Sequence, residues 1–159
     1  MRYYFFDTSA FVKDYAYEPG SRRVEDMIRS AAADPDACSV IVCELVLPEA
    51  FSALVGITEK PDAARRGLSR LSLHRALSDM RADVLSGRPY AMVSVGGTME
   101  RAADLVLGHR LKVGDSIQLA AALAARNAST PGSEFYLASA DARLNAAAER
   151  EALPVIDPT

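Results

Sequence analysis

Short, consecutive apolar runs alternate along this chain with stretches whose apolar residues recur every three or four positions. The first run, Tyr3, Tyr4, Phe5 and Phe6, is apolar at every position, as a strand covered on both faces must be. The pattern predicts strands over 3–6, 37–42, 90–95, 135–138 and 154–156. It predicts helices over 9–17, 22–33, 44–58, 62–86, 98–109, 114–127 and 142–151. Val40, Ile41 and Val42 are β-branched and mark the second strand. Pro19 and Gly20 end the first helix, and Pro48 falls in a first helical turn or just before it, where its missing N–H costs little. Strands that alternate with helices form parallel βαβ units. The expected fold is therefore α/β, a three-layer α/β/α sandwich with a mostly parallel central sheet, and 159 residues suit one domain.

In such sheets ligands bind beyond the carboxyl ends of the strands. Four acids fall there. Asp7 follows the first strand, Glu49 lies near the start of the helix after the second, Asp115 opens an apolar helix, and Asp141 closely follows the fourth strand. Each acid alone reads as a helix cap worth about 0.5–2 kcal/mol. Together at one edge they repel one another unless a cation neutralises them. A hard divalent ion, Mg²⁺ or Mn²⁺, prefers such oxygen ligands. His74 and His109 are the only histidines, and Cys38 and Cys43 lack zinc-site spacing, so the two cysteines are expected to be reduced core thiols.

The net charge of −3 hides an uneven distribution. The stretch 60–88 carries +4, from Lys60, Arg65, Arg66, Arg70, Arg75, Arg81 and Arg88 against Asp62, Asp79 and Asp83, and the rest carries −7. A basic arm on an acidic body suits a phosphate backbone held beside a metal, with Lys13, Arg22 and Arg110 as further candidates; a solvated helix face is the alternative. No apolar run reaches the roughly 18 residues of a membrane span. An acid interrupts the N-terminal apolar run after four residues, so a cytoplasmic protein is expected.

Four blocks then resemble PIN-domain nucleases in order. They are Phe5-Phe6-Asp7-Thr8-Ser9-Ala10-Phe11-Val12-Lys13, Cys43-Glu44-Leu45-Val46-Leu47-Pro48-Glu49-Ala50-Phe51-Ser52-Ala53-Leu54, Leu111-Lys112-Val113-Gly114-Asp115-Ser116-Ile117-Gln118-Leu119-Ala120 and Ser139-Ala140-Asp141-Ala142-Arg143-Leu144, and Pro154-Val155-Ile156-Asp157-Pro158 is similar to the family's terminal strand. The resemblance implies a metal-dependent endoribonuclease. For small members it implies a VapC-type toxin with an RNA substrate, a cognate antitoxin protein and often a homodimer. It places Asp7, Glu49, Asp115 and Asp141 as metal-binding acids, and Thr8, Ser9 and Ser139 as hydroxyls that orient a carboxylate or a water. Thr8 and Ser9 are expected to position Asp7 or the water. Glu44 competes with Glu49, which the spacing to Ser52-Ala53-Leu54 favours. A second class stays open, a catalytically silent PIN-like module that binds RNA or protein. A haloacid-dehalogenase-type site would need an acid where Ser9 stands. Phe11, Val12, Tyr15, Val24, Met27 and Ile28 offer apolar surface to an antitoxin helix or second protomer, or else to the core.

Overall fold

The structure, a computed structural model, describes residues 1–59 and 70–159. Its elements run β1 (Arg2–Phe6), α1 (Thr8–Tyr15), α2 (Ser21–Ala33), β2 (Cys38–Cys43), α3 (Val46–Thr58), α4 (Arg70–Ser86), β3 (Tyr90–Val93), α5 (Met99–His109), α6 (Val113–Ala128), β4 (Glu134–Ala138), α7 (Ala142–Arg150) and β5 (Val155–Ile156). The expected start of the fourth helix at Asp62, together with Lys60, Arg65 and Arg66 of the basic arm, lies outside the described residues.

All four strand pairings are parallel, and the order is β3-β2-β1-β4-β5. The alternation of side chains explains why the inner parts of the strands are apolar on consecutive positions. Tyr4 and Phe6 of β1, with Val40 and Val42 of β2, pack with α1 to α4. Phe5, Ile41 and Cys43 face the other way and pack with Leu105, Leu119 and Leu144 of α5, α6 and α7. Two helical layers thus cover the two faces, the sandwich expected from the alternation.

The chain leaves β1 towards β2 and β3 on one side, and places β4 and β5 on the other. Phe6 pairs with Ala138, so the carboxyl ends of β1 and β4 lie side by side. Helices leaving these two ends diverge to opposite faces, which opens a crevice between them.

Local chemistry accounts for the element ends. Helix α3 begins at Val46 rather than at Glu44, because Glu44 turns its carboxylate to the Ser94 hydroxyl and the Val95 amide, both at 3.0 Å. Gly20 takes φ 94°, and a Cβ there would lie 2.6 Å from the Pro158 carbonyl oxygen, so glycine lets the C-terminal segment pass. Phe11, Val12, Val24 and Met27 are buried in the core, and Tyr15 and Ile28 pack against it. The apolar stripe on the first two helices is therefore spent on packing.

Candidate metal centre

Asp7 leaves β1 and caps α1, its Oδ1 accepting from the Ala10 amide at 2.9 Å. The Ser9 hydroxyl lies 2.8 and 3.0 Å from its two oxygens, and the Ser139 hydroxyl donates to Oδ2 at 2.8 Å. Both hydroxyls also accept from the β4–α7 turn. Ser9 Oγ takes the Ala140 amide at 2.8 Å, and Ser139 Oγ the Asp141 amide at 3.0 Å. Two serines therefore sew the exits of β1 and β4 together around one carboxylate. The side-chain amide of Asn145 holds the Ser139 carbonyl at 2.9 Å.

Asp141 caps α7, with Oδ1 accepting from the Arg143 and Leu144 amides at 2.8 and 3.0 Å, and its Oδ2 takes no donor among the described residues. Asp115 sits in the first turn of α6 and accepts no side-chain or backbone hydrogen bond among the described residues. The cap reading thus holds for Asp141 and fails for Asp115.

Glu49 reaches across from α3. Its Oε2 accepts from the Thr8 hydroxyl at 2.6 Å and the Gln118 amide at 2.8 Å. Thr8 therefore serves Glu49, where the sequence offered it Asp7 or the water. The reason is geometric: Thr8 opens α1 and faces α3, while Ser9 faces the β4–α7 turn. Gln118 was not among the sequence-derived site residues. Its signal was a polar side chain three positions after Asp115, on the same face of a helix rich in alanine and leucine.

Asp7, Glu49, Asp115 and Asp141 all line one cavity of about 680 Å³, with Thr8, Ser9 and Lys112. Glu44 points to β3 instead and lines none of it. Lys13 is buried and pairs with Glu18 at 2.7 Å, which removes it from the candidate phosphate contacts.

The electrostatics follow from burial. Asp7 is 4% exposed, and loss of water pushes its carboxyl up to about 6, against the pull of the Ala10, Ser9 and Ser139 hydrogen bonds; the Asp141 charge pushes further. Asp115 is also raised, first by burial and then by Asp141, with Lys112 easing the cost and Glu49 adding to it. Acids so placed strain against their own charge, and a bound cation relieves it.

Among the described residues no three His, Cys, Asp or Glu side chains close tightly enough to hold an ion directly between them. The four acids surround a space instead. Glu49 Oε2, Asp141 Oδ1 and both oxygens of Asp7 accept from protein donors, and all four acids line the cavity. Carboxylates and hydroxyls are the lining groups able to ligate, with no His or Cys among the described lining residues, and such a donor set fits a hard ion that keeps part of its water shell.

The same fold occurs in solved structures, among them a chain from Rickettsia felis and one from Klebsiella pneumoniae. The chain is similar over 97% of its length to 97% of a chain in the VapBC2 complex from Rickettsia felis bound to a DNA fragment from their promoter, with a TM-score of 0.58 and 10% identity. It is similar over 98% of its length to 97% of a chain in a toxin–antitoxin complex from Klebsiella pneumoniae, with a TM-score of 0.53 and 17% identity. No protein-family model matches the chain, and no curated protein does either. The resemblance carried by the four sequence blocks is thus borne out in the fold, which is PIN-like.

Proposed function

We propose that the protein is a metal-dependent endoribonuclease and the toxin of a toxin–antitoxin pair. One observation carries the catalytic part: Asp7, Glu49, Asp115 and Asp141, from four separate segments, line a single cavity at the crevice where β1 and β4 end. The toxin part rests on the shared fold with chains of two toxin–antitoxin complexes. An antitoxin protein and a second copy of the chain are its expected partners, and RNA its substrate.

A Mg²⁺ or Mn²⁺ held by the four acids would supply Lewis acidity for phosphodiester hydrolysis by water. The chain's own residues do the rest. Ser9 and Ser139 hold Asp7 in one orientation, and Thr8 does the same for Glu49. Lys112 stands on the cavity rim, exposed, where it can take a phosphate. Asp141 keeps one oxygen on its helix and offers the other.

The test is incubation of the purified chain with structured RNA and Mn²⁺, followed by sequencing of the cut ends. Wild type should cleave, and Asp7→Asn and Asp115→Asn should not. Cleavage that persists in Asp7→Asn would rule out this site. Binding without cleavage under every divalent metal would favour a silent RNA-binding module.

A further inference from the structure

We propose that Gln118 is the positioning residue for the Glu49 carboxylate, and that the thiol of Cys43 sets the direction of the Gln118 amide. The use made of Glu49 rests on the nuclease reading; the contacts themselves do not.

Gln118 is 2% exposed on α6, flanked by Leu119, Ala120 and Ala121 in the core. A buried amide in such surroundings must find partners for both ends. Its Nε2 lies 2.8 Å from Glu49 Oε2 and 3.1 Å from Thr8 Oγ1, and its Oε1 lies 3.1 Å from Cys43 Sγ. A carboxylate can only accept, so the nitrogen end must face Glu49 and the oxygen end must face Cys43. The remaining partner must then donate, and a fully buried thiol does so.

The direction of every bond follows. Cys43 donates to Gln118, Gln118 donates to Thr8 and to Glu49, and Thr8 donates to Glu49 across 2.6 Å. The reversed amide would set its oxygen lone pairs against the carboxylate. One oxygen of Glu49 is thus gripped by two directed donors that arise from α1 and α6, with the last residue of β2 behind them. The other oxygen rests on Gly114, whose missing Cβ leaves it room. Asp115 and Gln118, three apart on α6, share a face: the acid opens on the cavity and the amide holds the neighbouring acid from beneath.

The test uses the full chain with Gln118→Leu, Cys43→Ala and Cys43→Ser. Mn²⁺ titration should show binding weakened about 10–100-fold in Gln118→Leu, the scale for loss of a group that orients a metal ligand. Cys43→Ala should lose less, and Cys43→Ser, which keeps a donor, should recover part of that loss. Unchanged Mn²⁺ affinity in Gln118→Leu overturns the assignment. A metal-free measurement stands beside it: the Gln118 side-chain NH₂ signals in a ¹⁵N spectrum should be displaced from the free-glutamine position and slow to exchange, and should move in Cys43→Ala. Signals at the free position in wild type overturn the proposal. A wild type that binds no Mn²⁺ yet shows displaced, protected signals upholds the positioning and sinks the metal reading instead.

Discussion

Glu49 rests its Oε1 against the bare Cα of Gly114, and a Cβ at residue 114 would overlap that oxygen. The contact joins α3 to the first turn of α6 and leaves Glu49 beside Asp115. The atom displaced is the tip of a flexible side chain, so Gly114→Ala should keep the fold and swing the carboxylate away. Cleavage should fall at least about tenfold, by analogy with a misplaced catalytic group. The melting temperature should change by no more than a few degrees. Full activity in Gly114→Ala would show that the placement of Glu49 does not matter.

Asp7 couples the site to pH. Its carboxyl lies near 6 in the folded protein and 3.8 when free, so the folded state holds the proton more tightly. Between those values the folded protein binds more protons, and stability falls as pH rises. The stabilisation is complete below about pH 3.8 and is lost through about pH 6, at a cost of roughly 3 kcal/mol. Asp7→Asn removes that dependence. Relative to wild type, the variant should gain in melting temperature as pH goes from 4 to 7, measured without divalent metal. A constant difference across that range would contradict a burial-raised Asp7.

The same protons would compete with the proposed metal. Asp7 and Asp115 are both raised, and both must ionise to bind a cation. Mn²⁺ affinity should therefore drop as pH falls through about 6. Calorimetric titrations at pH 5, 6 and 7.5 would show this. Equal affinity at all three would argue that these acids are not ligands.

Lys112 is exposed on the rim, beside an acid whose charge it eases. Lys112→Ala should weaken RNA binding and lower the slope of log affinity against log salt by about one, while the melting temperature holds. An unchanged slope would place the backbone contact elsewhere.

Glu44 and Glu49 separate cleanly by substitution. Glu44 holds Ser94 and Val95 at the exits of β2 and β3, and its loss should cost about 1 kcal/mol of stability with cleavage retained. Glu49→Gln keeps the side chain's shape and should lose cleavage. A Glu44→Ala variant that folds but does not cleave would reverse this assignment.

The alternation of apolar runs and helix-period segments already implied a parallel sheet between two helical layers. Side chains that alternate across a strand leave no other way to bury Tyr4, Phe5 and Phe6 together. The positions of Asp7, Glu49, Asp115 and Asp141 at strand exits and helix starts were legible for the same reason, since the chain returns to one edge after each crossover. Partner choice was not legible. That Thr8 serves Glu49, that Glu44 turns to β3 and that Gln118 reaches Glu49 all depend on which segments lie within about 3 Å. Local periodicity encodes which face a residue occupies. Hydrogen bonds between residues 41 to 110 positions apart exist only once the sheet order and the crevice between β1 and β4 are formed.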